Sequence, residues 1–415
     1  MSYALICSDP EWYQESTLYV RPGQSPLGFS VKEFKSCPDS CGLCPEHQQH
    51  TCLPVIEITS HCNLNCPICL KHFQKPINMT LNEFRNILRQ LHTFEKNLNV
   101  INLSGGEPTL HPELEDFLKV SSEENIHQVT VSTNGIKFLT DEKLRKLFKK
   151  TGVIASLQFD GFLPQTYELL RGSDLSAQKK EIIEVLEDSG IKYSLVATIA
   201  KDINDHEITD IVDFFFKSKA ISLMFQPAAF TGTASSQDFD PDSHRITIPD
   251  VVKEAEKSEH IKKGDFNPVP CSHYSCFAVS YYLIVNRGNY LNLKDFLGRE
   301  NYINILTNRA YPGLDKEGFT VIKERIYDLW SASDSSDASE HILQRIREIF
   351  KKLNLDSFSA REVFNLGIES MTSLFIHQFM DVHTLDFKRL VKCCNHYPLA
   401  DGRIIPMCAQ NVFFQ

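Results

Sequence analysis

The chain has 415 residues, 42% of them hydrophobic, enough for one large catalytic domain with one or two smaller ones around a real core. Its 43 basic residues against 53 acidic ones leave a formal charge of −10 with no strongly basic segment, which argues against wrapping around nucleic acid. Thirteen cysteines, with no leader-like segment and cleavage site, predict a reduced compartment and metal ligation rather than a disulfide framework. The longest apolar run, Cys276 to Val285, is about half of what a bilayer span needs. A cytoplasmic protein is expected, its 28 phenylalanines leaving peripheral contact with lipid open.

Residues 1–36 are broken by Pro10, Pro22, Gly23, Pro26 and Gly28, and the isolated Cys7 reads as a small buried apolar residue. Cys37, Cys41 and Cys44 then form a C-x3-C-x2-C set, followed by Cys52. These four suit a tetrahedral, rubredoxin-like S4 site for mononuclear iron or zinc, either a structural knuckle or an electron relay, and residues 1–54 form a module around it.

The same spacing returns at Cys62, Cys66 and Cys69, directly after Val55–Thr59, an alternating run that predicts a strand. Here no fourth cysteine stands close behind. Three thiolates hold three irons of a [4Fe-4S] cluster and leave the fourth iron open, which is the arrangement of a catalytic cluster. Ser104-Gly105-Gly106-Glu107-Pro108 follows the apolar run Val100–Leu103, and Ser132-Thr133-Asn134-Gly135 follows Gln128–Val131.

Apolar periodicity predicts helices over 81–91, 113–124, 142–150, 179–189 and 206–217, with strands over 55–59, 100–103, 128–132, 154–158, 193–198 and 221–226. Thr80 with Glu83, and Thr140 with Lys143, mark helix starts. Six βα units make a partial (β/α)6 barrel over residues 55–230 with a lateral opening, and Asp160, Gly161 and Gln226 fall at its mouth. The polar stretch Thr231–Asp242 is expected as a loop over the barrel top or an interdomain link.

Residues 231–415 read as a C-terminal α+β domain. They hold Cys271, Cys276, Cys393, Cys394 and Cys408, of which four suffice for an auxiliary iron-sulfur cluster. Adjacent Cys393 and Cys394 rarely both ligate one ion, because successive strand side chains point to opposite faces; which one ligates stays open. A low-complexity loop over 331–339 precedes helices expected at 341–352 and 360–379, and a hairpin turning at Asp401-Gly402 closes the chain. His273, His396 and Tyr397 read as packed polar residues, with second-shell or acid roles as the alternative.

The ordered motifs from Cys62 to Asn134 resemble the radical S-adenosylmethionine (SAM) superfamily, over roughly residues 55–226. The resemblance implies that Cys62, Cys66 and Cys69 hold the reactive cluster and that Gly105, Gly106, Glu107, Ser132 and Asn134 position SAM. Glu107 would accept its ammonium, and Ser132 and Asn134 would meet its ribose. It also implies an electron donor such as ferredoxin or flavodoxin. Ile68 stands where that family usually has an aromatic residue, so the contact with adenine would be aliphatic.

Pro270-Cys-Ser-His-x-x-Cys276, together with Cys393-Cys-x-His-Tyr, Asp-Gly-Arg403 and Pro-x-Cys408-Ala-x-Asn411, is similar to the archaeal tetraether synthase group, also described as class D radical SAM methyltransferases. This implies auxiliary metal sites and carbon-carbon coupling of lipid chains. The alternatives are methyl transfer to a pterin or other heterocycle, peptide modification by a maturase, and a zinc-stabilised binding module.

Overall fold

The computed structural model describes Trp12 and residues 46–72, 77–95, 98, 100–124, 126, 128–235, 239–286, 288–307 and 367–414. The expectations on Cys7, Cys37, Cys41, Cys44 and residues 331–352 lie outside them.

Six parallel strands run in sequence order: β1 (Leu53–Thr59), β2 (Val100–Gly105), β3 (Gln128–Thr133), β4 (Ile154–Gln158), β5 (Tyr193–Ile199) and β6 (Ser222–Pro227). Period-two alternation gives them two faces. Ile56, Ile101, Val131, Leu157, Leu195 and Phe225 lie fully buried on one side. Each such side chain contributes about 1.5–3 kcal/mol by leaving water. The other face carries Glu57, Asn102, Ser132, Gln158, Thr198 and Gln226, all incompletely buried. It lines the lumen.

The helices follow from apolar spacing and caps. On α1 (Leu81–Phe94) the buried side chains are Phe84, Ile87, Leu88 and Leu91, the i, i+3, i+4, i+7 stripe of a half-buried helix, and Thr80 with Glu83 closes a capping box. α2 spans Leu114–Glu123 and α3 Glu142–Thr151. The cap of α3 is Asp141, whose carboxylate accepts from Leu144 N, because Thr140 already ends a short preceding turn. α4 (Pro164–Arg171) escapes an apolar-period reading through its brevity, although Pro164 at its start and Gly172 at its end mark it. α5 (Ser176–Ser189) and α6 (Ile208–Lys217) complete the barrel helices.

The sheet continues into the C-terminal third. β7 (Asn267–Pro268), β8 (Phe277–Asn286), β9 (Asn289–Asn292), β10 (Met371–His377), β11 (Asn395–Pro398) and β12 (Ile404–Pro406) give the order β12-β11-β1-β2-β3-β4-β5-β6-β10-β8-β7, with β9 on β8. β10 adds in parallel to β6 and β11 in parallel to β1; β8 and β12 pair antiparallel outside them. The helix expected over 360–379 is thus overturned in its second half. Met371–His377 bonds to strands on both sides and buries Leu374 and Ile376, two apart, as a strand requires. The hairpin expected at the end of the chain is present as β11 and β12, and Gly402 takes the left-handed φ of 95° that the turn demands.

The two ends of this strand order meet. Arg389, ahead of β11, bonds to the Gln378 carbonyl behind β10, and Met380 N donates to Cys408 Sγ behind β12. The sheet curls until its edges form a seam, and the C-terminal cysteines lie along it.

Candidate active site

The loop after β1 carries Cys62, Cys66 and Cys69, with Cys62 exposed and the other two half-buried. Surrounding loop atoms that displace water, with the nearby Glu107 and the other two thiols, push Cys62 up to about 11 although its side chain still meets solvent, and burial raises Cys69. Such thiols ionise only when a cation compensates the charge. Neighbouring loops pin the backbone here. Gly106 N donates to Thr59 O and Glu107 N to His61 O, both at 2.7 Å. A Cβ on Gly106 would stand 2.4 Å from His61 O, and one on Gly105, at φ 133°, 2.0 Å from Thr59 O. The glycine pair is required by close approach of the cysteine loop's own backbone.

From the far side, the segment after β6 grips the same loop: Thr233 Oγ1 donates to the carbonyls of Cys66 and Cys69 at 3.1 and 3.0 Å. The expected loop over the barrel top is therefore present, and it reaches the cysteines. Ile68 is 3% exposed and packs with Leu170, Ala200, Ala228, Phe230 and Ala234. It anchors the loop in an apolar pocket.

Glu107 joins two strand ends. Its Oε1 accepts from Thr109 N, Thr109 Oγ1 and Thr133 Oγ1 at 3.1, 2.6 and 2.8 Å, and Oε2 accepts from Asn134 N at 2.7 Å. Asn134 in turn donates from Nδ2 to Asn63 Oδ1 in the cysteine loop, 2.7 Å, while Ser132 and Asn102 bond across β2 and β3 at 3.1 Å. Gly105, Gly106, Glu107 and Asn134 thus gather around the cysteine loop, and Ser132 lies on the lumen face of β3.

Two residues there were not anticipated. Arg171, at the end of α4, forks onto Asp160 with both bonds at 2.7 Å, and its side chain also reaches the Cys66 thiol. Burial works against its charge, but Asp160 more than offsets this and raises its pKa. Asp160, fully buried, also accepts from Gln158 Nε2 and Thr198 N. Lys179 on α5 is fully buried, and donates to the Asn134 carbonyl at 2.6 Å. Burial draws its pKa down to about 7, with Asp160 opposing. A polar residue in the first turn of an otherwise amphipathic helix was the available sequence signal.

Along the seam the thiols sort into two groups. Cys52 contacts Cys271 and Cys394, and with burial these hold it well above the ordinary thiol range. Cys52 thus lies against C-terminal thiols, while Cys37, Cys41 and Cys44, with which the sequence groups it, lie outside the described residues. Burial comes first in raising Cys393, whose charged neighbours are Cys408, Cys394 and Cys276, and Cys408 is pushed up to about 11 mainly by burial. Cys394 neighbours both Cys52 and Cys393, so the adjacent pair stands where the two groups meet. His396 meets His47 at 3.1 Å between ring nitrogens, His273 stacks on Tyr274, and Tyr397 lies beneath the Lys71 ammonium at 4.1 Å. Lys71 also pairs with Glu57 at 2.7 Å.

Among the described residues, no three His, Cys, Asp or Glu side chains are already gathered as a set for a single ion. A single zinc would draw its sulfurs to within about 4 Å of one another. A cluster holds each thiolate on a different iron, so its ligands stand farther apart.

The model of the radical SAM superfamily matches residues 56–215. The 7,8-dihydro-6-hydroxymethylpterin dimethyltransferase of Methanocaldococcus jannaschii is 29% identical, over 97% of this chain and 85% of its own. The GTP 3′,8-cyclase of Aquifex aeolicus is 28% identical over 52% of this chain and 66% of its own. Among solved structures, Streptococcus suis SuiB bound to its precursor peptide SuiA superposes with a TM-score of 0.40 and 20% identity, covering 46% of this chain and 43% of that one.

Proposed function

We propose that this chain, whose residues 56–215 match the radical SAM superfamily, is an enzyme that replaces a ring C–H of a pterin-like heterocycle with C–CH3 in the barrel lumen. The lumen carries the argument. Its face presents Glu57, Asn102, Ser132, Gln158, Thr198 and Gln226 beside the partly exposed Val196 and Met224, a mixture of polar groups and apolar surface that suits a flat nitrogen heterocycle. The likeness to a pterin dimethyltransferase over nearly the whole chain agrees. The abundance of phenylalanine, which motivated a lipid substrate, is met in the core: Phe84, Phe117, Phe138, Phe148, Phe159 and Phe225 are at most 1% exposed. Among the described residues no helix is long and apolar enough to cross a membrane.

In this reading Cys62, Cys66 and Cys69 hold the SAM-binding [4Fe-4S] cluster, on the loop fixed by Gly105, Gly106 and Thr233. When bound, the cluster and SAM would supply a one-electron reductive cleavage that removes hydrogen from an unactivated carbon, and a second SAM would give that carbon its methyl group, a second electron completing the C–CH3 bond. A carboxylate has about four lone-pair sites, so Glu107, with a single bond on Oε2, retains one there for the SAM ammonium. Asn134 and Ser132 face its ribose. Lys179 fixes the Asn134 carbonyl, and the Arg171–Asp160 pair braces the opposite wall. Cys52, Cys271 and Cys394 form one auxiliary iron-sulfur site and Cys276, Cys393 and Cys408 a second, with Cys37, Cys41 and Cys44 left to the N-terminal module. Reduced ferredoxin or flavodoxin supplies the electron.

The test is anaerobic turnover of the reconstituted protein with SAM, reductant and either 7,8-dihydro-6-hydroxymethylpterin or an archaeal-type diether lipid. The pterin is expected to gain the mass of one or more CH2 units, with the lipid unchanged. Joined lipid chains beside an unchanged pterin would overturn this reading.

A further inference from the structure

Arg389 lies 1% exposed just ahead of β11, and its guanidinium turns a two-pronged edge onto one sulfur. Nε and Nη2 each stand 3.4 Å from Cys276 Sγ, while Nη2 also donates to the carbonyls of Ser275 and Gln378 at 3.0 Å. Those two carbonyls flank the thiol and fix the fork. A guanidinium fork is matched to an anionic acceptor, and a neutral thiol is a weak one. A second sulfur of the same group, Cys408 Sγ, accepts from Met380 N at 3.3 Å. The other group is built differently. Cys52 contacts its partner thiols and stands 3.6 Å from the His50 ring, which Glu95 holds at 3.0 Å. Hydrogen bonds and positive charge at the sulfurs of an iron-sulfur centre favour its reduced, more negative state.

We propose that Arg389 is the positioning residue of the centre held by Cys276, Cys393 and Cys408, fixing the Cys276 sulfur and raising that centre's reduction potential above that of the Cys52, Cys271 and Cys394 centre. The inference rests on the reading of these cysteines as iron ligands. It divides the seam into a low-potential and a high-potential site, so that an electron moves one way along it.

The test uses the full chain, reconstituted anaerobically, with iron and sulfide counted before an EPR-monitored redox titration. Arg389→Gln is expected to keep its iron and to show a more negative midpoint for one seam centre. At a fixed potential the reduced-to-oxidised ratio of that centre falls about tenfold, equivalent to about 59 mV for a one-electron couple. Arg389→Lys restores charge without the fork and is expected to recover part of the shift. An unchanged midpoint at full iron content in Arg389→Gln overturns the proposal. If the glutamine variant loses iron or fails to fold, the lysine variant decides: a lowered midpoint supports the fork and a wild-type midpoint overturns it. A triple variant of Cys276, Cys393 and Cys408 to serine that binds as much iron as the wild type would overturn the ligand reading itself, by iron count and independently of any potential.

Discussion

The mouth of the barrel and its seam both collect cysteines, by opposite routes. At the mouth, three thiols come from one eight-residue loop, and the surrounding elements exist to hold that loop: Gly105 and Gly106 beneath it, Thr233 above it, Asn134 beside it. Cys62 remains exposed there. Along the seam, Cys52, Cys271, Cys276, Cys393, Cys394 and Cys408 come from segments up to about 350 residues apart, and they meet only once the sheet has curled. A site that receives a substrate is written locally and preformed, whereas the seam thiols gather only where distant segments of the chain come together.

The contrast is testable. The largest stability effect is expected from Arg171→Leu, which leaves the fully buried Asp160 without its cation at the mouth. A loss of about 3–5 kcal/mol in denaturant unfolding is expected, and a loss within error of zero would remove this pair from the mouth's framework.

Acid should strike the seam side. His377, stacked against Phe277 at 3.8 Å, is lowered to about 3 by burial, with Arg389 adding to the effect. Its folded pKa lies below the unfolded value near 6.5, so the unfolded chain takes the proton first as pH falls. The stability contributed by the neutral ring is whole above about pH 6.5 and is lost progressively toward pH 3, on the order of 3 kcal/mol. His377→Phe should flatten that slope between pH 7 and 5 in unfolding measurements; an unaltered slope would place acid sensitivity elsewhere.

Gly106→Ala drives a methyl group into the His61 carbonyl and is expected to cost about 1–3 kcal/mol. More specifically, it should empty the mouth of iron while the seam keeps its own, read as selective loss of the SAM-responsive EPR signal. Equal loss from both would mean that the two regions do not assemble separately. The smallest change is Thr80→Ala, which opens the capping box of α1 for about 1 kcal/mol without altering iron at either place.

The barrel and its mouth were legible because their information is local. Strand alternation, the three-cysteine spacing and the Gly-Gly-Glu turn each fit within a few residues, and Ile154–Gln158 matches its expected limits. Failures came where tertiary contacts decide. Met371–His377 reads apolar enough for a helix, yet β6 and β8 claim its backbone. Lys179 shares the stripe of Ile182, Ile183 and Leu186, and Arg171 follows Tyr167 by one turn, but their charge reads as solvent-facing and only the packed barrel shows them turned inward. The partition of the seam cysteines was equally hidden, since each group draws on segments whose meeting no local pattern records.

The most direct test of the central claim is formation of 5′-deoxyadenosine by the anaerobically reconstituted protein with SAM and a strong reductant, in the wild type and in Cys66→Ala. The account predicts product in the wild type and only background in the variant, with iron retained along the seam. Equal product from both, or none from an iron-loaded wild type supplied with SAM and the pterin, would contradict it.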